Sequence, residues 1–153
     1  MPEITIRALA PSDLAEAAAL LTTLNPETPT PIIGERLHVL LADHSHYQLV
    51  GAFACGKLAG VAGAWIATKI WCGRYLEIDN LVVDPGQRSA GIGTQLIRHL
   101  EAVARGQDCK IVVLDSYTGN HPSHRLYHRL GFEIWGFHFV KPIGDWKGDH
   151  LPL

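Results

Sequence analysis

The sequence predicts a single α+β domain of three layers, in which helices cover both faces of a mixed, mostly antiparallel sheet. The predicted elements follow the order β-α-α-β-β-β-α-β-α-β, so a run of adjacent strands lies between helices. This order favours a mixed sheet over a doubly wound parallel one. The chain has 153 residues, 47% of them hydrophobic, which is enough for one domain with its own core. We therefore expect residues 1–153 to form one domain.

The N-terminal part predicts one strand and two helices. Residues 4–9 alternate between apolar and polar side chains, as a half-buried strand does. Residues 11–13 carry proline, serine and aspartate, which favour the start of a helix that runs to about Leu24. The proline-rich residues 25–31 predict an irregular loop, because prolines remove donors and restrict their neighbours. A second helix is predicted over residues 32–43.

The middle of the chain predicts three strands in succession. Residues 47–54 and 58–70 are joined by a tight turn and form a predicted hairpin, and residues 75–83 form the next strand. A helix is predicted over residues 93–105. The apolar, β-branched residues 110–114 have the profile of a central strand.

The C-terminal part predicts a helix, a strand and a tail. The helix spans residues 120–130 and ends at Gly131, a typical C-cap glycine. Residues 132–141 predict a strand, and residues 145–153 predict a coiled tail.

Bulk properties exclude several classes of protein. The net charge of −2 gives no electrostatic basis for binding nucleic acid. No apolar run reaches the ~18 residues of a membrane helix, and the acidic start of the chain does not fit a signal peptide. Three cysteines are an odd number without metal-binding spacing. These observations favour a cytoplasmic protein with reduced thiols and no membrane partner.

The loop between the third predicted strand of the run and the following helix has the pattern Arg88-x-x-Gly91-x-Gly93. A strand, a glycine loop and a helix start direct several backbone N–H groups at one spot beside the positive end of the helix dipole. This geometry predicts an anion site, with phosphate as the ligand. The alternative is a glycine turn that binds nothing.

Two other phosphate motifs fit this loop less well. A P-loop requires a lysine after its last glycine, whereas Thr94 follows Gly93. A dinucleotide fingerprint requires a third glycine where this chain has Leu96, and its loop should follow the strand almost immediately. Asp115, however, ends the next strand at about the distance that this fingerprint expects. The dinucleotide interpretation therefore stays open at this point.

The glycine loop resembles the pyrophosphate loop of the GNAT superfamily of acyl-CoA-dependent N-acyltransferases. A second similarity to that family lies further along, where Asn120, Ser123 and Tyr127 precede the sequence Leu-Gly-Phe at residues 130–132. The family more often has alanine at the position of Ser123. The family's element order matches the predicted order from residue 4 to residue 141, nearly the whole chain.

The resemblance implies a site for acetyl-CoA as cosubstrate, without a metal. Backbone N–H groups of the loop would bind the pyrophosphate, at Arg88, Ser89, Ala90, Gly91, Ile92, Gly93 and Thr94. The edge of the preceding strand would bind the amides of the pantetheine arm, at Leu81, Val82 and Val83. Asn120 and Ser123 would complete the cofactor site. A backbone N–H near Val82 would stabilise the oxyanion, and Tyr127 would protonate the leaving thiolate.

A general base is also needed, because a protonated amine is no nucleophile. Glu77 and Asp79 lie two residues apart on one strand, so their side chains share a face. Histone-type members of the family carry their base at the position of Glu77, and polyamine-type members carry a glutamate at the position of Asp79. Glu77 is the first candidate because its carboxylate reaches further, and a structural role is the alternative for either residue.

The predicted function is direct transfer of an acetyl group from acetyl-CoA to a primary amine of a small molecule or peptide. A non-catalytic acyl-CoA sensor and a dinucleotide-binding oxidoreductase are the alternatives. His121, His124 and His128 lie on one side of a helix at a spacing that suits zinc. No cysteine or carboxylate joins them locally, so no metal site is predicted. Dimerisation is common in the family, and nothing in the sequence decides it.

Overall fold

The computed structural model describes residues 2–88 and 90–146, which form two compact units that divide between Leu114 and Asp115. Among the described residues, the strands all belong to the first unit and one helix belongs to the second. The elements are β1 (Ile4–Ala8), α1 (Leu14–Leu24), α2 (Thr30–Asp43), β2 (Tyr47–Ala54), β3 (Lys57–Lys69), β4 (Gly73–Val83), α3 (Ile92–Gly106), β5 (Ile111–Leu114) and α4 (His121–Arg129).

The five strands form one sheet in the order β1-β2-β3-β4-β5. Neighbours from β1 to β4 are antiparallel, and β4 and β5 are parallel. The prediction of a mixed, mostly antiparallel sheet is therefore confirmed. The prediction of a central position for residues 110–114 was wrong, because β5 is the last strand in this order and its side chains are only half-buried.

Helices cover both faces of the sheet in the first unit. Val61 of β3 is buried in a cluster with side chains of α1 and α2, among them Leu21 and Leu37. The preceding residue, Gly60, faces the other way, where the space of its missing side chain is filled by Ile92 and Leu96 of α3. Adjacent residues of one strand thus contact helices on opposite faces, as the predicted layers require.

The second helix starts two residues earlier than predicted. Thr30 and Pro31 belong to the first turn of α2, not to the loop before it. Proline is tolerated there because the N–H groups of a first helical turn have no intrahelical acceptor. The loop prediction held only for the residues before Thr30.

The second unit contains α4, which ends where the sequence predicts. Gly131 has φ +91°, and Phe132 N–H donates to the Tyr127 carbonyl at 3.0 Å, the hydrogen-bond pattern of a Schellman cap. The prediction of a strand over residues 132–141 was wrong, since that segment has no strand hydrogen-bond ladder and Phe139 is 91% exposed. Strand propensity describes fit to a packed pleated surface, and these side chains are not packed.

The remaining expectations concern the cysteines, the C-terminal tail and membrane helices. Cys55, Cys72 and Cys109 are free thiols. Most of the predicted tail over residues 145–153 lies outside the described residues. No helix in the described part of the chain combines the length and the apolar character needed to cross a bilayer.

Candidate active site

Strand β4 carries a bulge that interrupts its pairing with β3. Val82 pairs with Val61 and Asp79 pairs with Gly63, so Asn80 and Leu81 together lie opposite the single residue Ala62. Asn80 has φ +50°, in the left-handed region that asparagine tolerates better than most residues. The extra residue of a bulge is left outside the ladder, so its peptide group is available to a ligand. The bulge directly precedes Val82, near which the oxyanion donor is predicted.

The two predicted carboxylates lie beside the bulge. Glu77 pairs with Trp65 and Asp79 with Gly63, so the two side chains share one face of the sheet, as predicted. Asp79 Oδ1 accepts a hydrogen bond from the Tyr47 hydroxyl at 3.0 Å, and Asp79 Oδ2 accepts one from Trp65 Nε1 at 3.0 Å. Both carboxylate oxygens of Asp79 therefore have a protein donor.

The surroundings of Asp79 act on its proton affinity in two directions. Burial raises the pKa of Asp79 above its usual value, and hydrogen bonds from Trp65, Tyr47 and Asn80 offset part of this rise. The salt bridges found among the described residues do not include Asp79. Asp79 is thus a partly buried carboxylate held by neutral donors.

Tyr47 and Asn80 belong to this cluster and were not predicted from the sequence. The Tyr47 hydroxyl accepts a hydrogen bond from Asn80 Nδ2 at 3.2 Å while it donates to Asp79. Burial, and then the charge of Asp79, raise the pKa of Tyr47 well above its usual value, so the phenol remains a neutral donor. The sequence does carry one hint of this cluster: Asn80 lies within a predicted strand, although asparagine is a poor strand former.

Beyond the bulge, one edge of β4 is directed away from β3. The pairing of β4 with β5 runs from Tyr75 to Ile78, and β4 continues to Val83. Asp84 N–H donates to the Ala59 carbonyl of β3 at 2.8 Å, so alternation along the strand points the Val83 N–H to the opposite edge. Leu81, Val82 and Val83 therefore provide the strand edge that the resemblance assigns to pantetheine.

The glycine loop leads from this edge to the start of α3. Gly91 is the N-cap residue with φ +76°, and α3 has neither a side-chain cap nor an acidic residue in its first turn. The first bond of the helical ladder runs from Gln95 N–H to the Gly91 carbonyl at 3.0 Å. The N–H groups of Ile92, Gly93 and Thr94 lie before that bond and carry the positive end of the dipole.

The remaining residues of the loop take different positions. Ile92 is buried at 1% exposure and packs into the space left by Gly60, which fixes the start of α3 on the sheet. Ala90 is half-buried and Arg88 is exposed. Ser89, also a predicted cofactor residue, lies outside the described residues. The exposed guanidinium of Arg88 is accessible to an anion at the loop.

The second unit holds the other three predicted site residues on one helix. Asn120 caps α4 through a hydrogen bond that its side chain accepts from Ser123 N–H at 3.4 Å. Tyr127 lies one further turn along the helix, and its ring contacts that of Phe132 edge-on at 6.0 Å between centroids. Burial raises the pKa of Tyr127, and a hydrogen bond with Ser123 partly lowers it. A neutral phenol is the form that can donate a proton.

Two of the three histidines of α4 hydrogen-bond to backbone carbonyls. His124 Nε2 contacts the Tyr117 carbonyl at 2.8 Å, and His128 Nδ1 contacts the Phe132 carbonyl at 3.1 Å. His121 packs edge-on against His124. Among the described residues, no group of three or more histidine, cysteine or acidic side chains is placed to hold a metal ion.

Comparison with known proteins gives a family match and several similar sequences. The model of the acetyltransferase (GNAT) family matches residues 17–132. The chain is 32% identical over 136 residues to the glucosamine 6-phosphate N-acetyltransferase of Trypanosoma brucei brucei, covering 85% of this chain and 89% of the relative. It is 34% identical over 137 residues to the N-alpha-acetyltransferase RimI of Mycobacterium tuberculosis, covering 87% and 80%.

Solved structures share the fold. A Trypanosoma brucei acetyltransferase superimposes with a TM-score of 0.77 at 26% identity, covering 92% of this chain and 100% of that one. The aminoglycoside N-acetyltransferase AAC(6')-Iy, solved in complex with CoA, superimposes with a TM-score of 0.82 at 22% identity, covering 94% and 96%.

Proposed function

The chain belongs to the GNAT family of acetyltransferases, and from that premise we propose that it moves the acetyl group of acetyl-CoA directly to a primary amine of a small molecule or peptide. It is an acetyl-CoA-dependent N-acetyltransferase. The observation that carries the proposal is the continuous path from the bulge of β4, along its outward edge, to the uncapped start of α3. Along this path, the bulge offers a backbone donor for the thioester carbonyl, and the strand edge offers donors for the pantetheine amides. The start of α3 offers donors for the pyrophosphate.

The start of α3 binds the pyrophosphate of CoA in this proposal. The N–H groups of Gly91, Ile92, Gly93 and Thr94 donate to this anionic group, together with those of Arg88 and Ala90 before them. Ser89 stays a contact expected from the family resemblance. The helix dipole and the Arg88 guanidinium supply positive charge. Gly91 is suited to the position because its φ of +76° would strain any residue with a Cβ.

The pantetheine arm lies along Leu81, Val82 and Val83 as an added strand would. Its amides exchange hydrogen bonds with the outward backbone groups of β4, Val83 N–H among them. The thioester then lies at the bulge, where a backbone N–H near Val82 meets the carbonyl oxygen. A preorganised donor of this kind lowers the barrier by about 3 kcal/mol.

The chemical step is attack of a neutral amine on the thioester carbonyl. A carboxylate accepts one proton of the ammonium, the C–N bond forms and the C–S bond breaks. The nitrogen then loses a second proton, which balances the proton that the acid gives to the thiolate, and the products are CoA and an amide. We assign the base to Glu77, the first candidate, because its carboxylate reaches further from the strand than that of Asp79. Tyr127 is the proposed acid. Asn120 and Ser123 are proposed contacts of the cofactor. These three assignments rest on the family resemblance of α4.

The acceptor and the assembly are further parts of the proposal. One relative is named a glucosamine 6-phosphate N-acetyltransferase and another an N-alpha-acetyltransferase, so both a small molecule and a peptide are candidate acceptors here. We expect residues 1–153 to act as one catalytic domain, because the family model continues across Leu114. A cytoplasmic location is expected from the free thiols. Dimerisation is common in the family, and a homodimer is one of the assemblies open to this protein.

The test is release of CoA from acetyl-CoA with a panel of amino sugars, amino acids, polyamines and peptides. We expect Glu77→Gln to lower kcat/KM by about 10²-fold or more, as loss of a general base does, and Asp79→Asn to cost less. Tyr127→Phe should lower kcat, because the leaving thiolate loses its proposed proton donor. Glu16→Gln and Tyr117→Phe, at exposed positions, are the matched controls.

The outcomes separate the proposal from its alternatives. Saturable acetyl-CoA binding without CoA release by any amine would favour the non-catalytic sensor. Binding of NAD with no binding of acetyl-CoA would favour the oxidoreductase. A larger loss in Asp79→Asn than in Glu77→Gln would exchange the roles of the two carboxylates.

A further inference from the structure

Tyr47 reaches the candidate site from two strands away. It lies on β2 and pairs with Trp65 of β3, which in turn pairs with Glu77 of β4. Its side chain passes over Gly63, where a Cβ atom would overlap both the Tyr47 hydroxyl oxygen and Asp79 Oδ1. The ring packs on the Trp65 ring at 4.7 Å between centroids, and Tyr47 is only 6% exposed. The missing side chain at position 63 is what lets the hydroxyl reach β4.

The Tyr47 hydroxyl contacts both residues at the start of the bulge. It donates to Asp79 at 3.0 Å and accepts from Asn80 Nδ2 at 3.2 Å. Asp79 is the last residue of β4 that pairs normally with β3 before the bulge, and Asn80 is the first residue beyond it. The buried Tyr47 hydroxyl therefore holds the side chains of both Asp79 and Asn80, which lie on either side of the start of the bulge.

The backbone of Asn80 depends on this support. Its φ of +50° is unfavourable for a residue with a Cβ and persists only where neighbouring contacts determine it. A change in φ at Asn80 rotates the adjoining peptide groups, including the N–H groups that follow it in the bulge. A small error in the direction of such a donor is costly, because transition-state stabilisation depends on a fixed geometry.

We propose that Tyr47 is a positioning residue for acetyl transfer, whose hydroxyl holds the β4 bulge so that its backbone N–H faces the thioester carbonyl. Tyr47 touches neither the thioester nor the amine in this arrangement, and it acts through Asn80 and Asp79. The inference rests on the proposed function, because the bulge matters to catalysis only if the thioester lies there. The pyrophosphate site at the start of α3 does not include Tyr47.

The test is Tyr47→Phe, which keeps the ring and removes the hydroxyl. We expect kcat to fall at least tenfold while the Kd for acetyl-CoA stays within twofold, since the backbone donors of the glycine loop are unchanged. Tyr75→Phe is the matched control, a buried tyrosine on the same sheet with a different pairing and no part in the bulge. Its kcat should stay within twofold of the wild type.

A rescue variant separates positioning from general support of the fold. Glycine adopts positive φ without strain, so Asn80→Gly added to Tyr47→Phe should recover at least threefold in kcat. Amide NMR shifts in Tyr47→Phe should change at Leu81 and Val82 and stay constant at Gly91 and Gly93. A folded Tyr47→Phe with wild-type kcat and unchanged bulge amides would overturn the inference, as would equal losses in kcat and acetyl-CoA affinity.

The two proposals fail in different ways. If the wild type releases no CoA with any amine, the proposed function is wrong, while the amide shifts still show whether the hydroxyl holds the bulge. If the wild type is active and Tyr47→Phe equals it, only the positioning role is wrong. Gly63→Ala is the second variant, because its Cβ displaces the same hydroxyl, and it should reproduce the loss in kcat.

Discussion

The Tyr47 hydroxyl donates a hydrogen bond of 3.0 Å to Asp79 Oδ1 across the intervening strand, over the bare backbone of Gly63. Asp79 is a candidate base predicted from the sequence, whereas Tyr47 is not among the predicted site residues. Asp79 Oδ2 also accepts a hydrogen bond, from Trp65 Nε1, so this carboxylate is held at both oxygens. Asp79→Asn and Glu77→Gln test the two carboxylates separately.

Asp79 should make the stability of the protein depend on pH in a definite direction. Its pKa is raised in the folded state, so the folded protein holds that proton more tightly than the unfolded chain does. The stabilisation is fully present below the unfolded pKa, about 3.9, and is lost as the pH rises through the raised folded value. Denaturant unfolding of the wild type and of Asp79→Asn measures it.

The difference in free energy of unfolding, wild type minus Asp79→Asn, should decrease from about pH 4 towards neutral. Glu16→Gln, at an exposed position of α1, serves as the control for removal of one carboxylate. If the difference stays constant or grows over this range, the folded structure does not disfavour the ionised form of Asp79.

Gly60→Ala should loosen the start of α3. The new Cβ would lie 2.9 Å from Ile92 Cγ2 and 3.2 Å from the Val82 carbonyl oxygen, so Ile92 must move. Overpacking of this kind costs about 1–3 kcal/mol of stability, and a displaced Ile92 also moves the N–H groups beside it. We expect a lower Tm together with weaker binding of acetyl-CoA.

Gly34→Ala on α2 is the matched control, because its Cβ would meet no atom within 4 Å. There the same substitution should raise stability by about 0.5–1 kcal/mol through helix propensity and leave acetyl-CoA binding unchanged. If both variants behave alike, the packing of Ile92 against Gly60 does not support the loop.

Gly131→Ala should destabilise the end of α4. A φ of +91° at this position is strained for alanine, and the cost is about 1–2 kcal/mol. The same cap holds the Tyr127 carbonyl through Phe132 N–H. Thermal unfolding checks the prediction against Gly119→Ala, whose φ is not positive and whose Cβ would meet open space. Equal Tm values would argue against the cap.

Local chemistry explains how much of the fold could be predicted. The alternation over β1 and the cap at Gly131 are local signals, and both elements lie close to where the sequence predicts them. The exceptions depend on tertiary context. Pro31 fits a loop and a first helical turn equally well, and residues 132–141 have a strand-like composition yet no strand hydrogen-bond ladder in the described structure. Sequence alone does not supply the partner that a strand needs.

The candidate site divides in the same way. Gly91 and Gly93 predict an anion loop from the sequence, and the φ of +76° at Gly91 is one that few other residues adopt. Glu77 and Asp79 share a face because the strand period is two. Tyr47 could not be found like this. Its role requires the register of three strands and the absence of a side chain at Gly63, which no local pattern encodes.

The most direct test of the central claim is calorimetric titration of acetyl-CoA into the wild type and Gly91→Glu, with NAD as the control ligand. Gly106→Glu places the same charge at the other end of α3, where the structure leaves open space. We predict saturable binding by the wild type and Gly106→Glu, at least tenfold weaker binding by Gly91→Glu, and none of NAD. Absence of acetyl-CoA binding, or equal weakening in both variants, would contradict a pyrophosphate site at the start of α3.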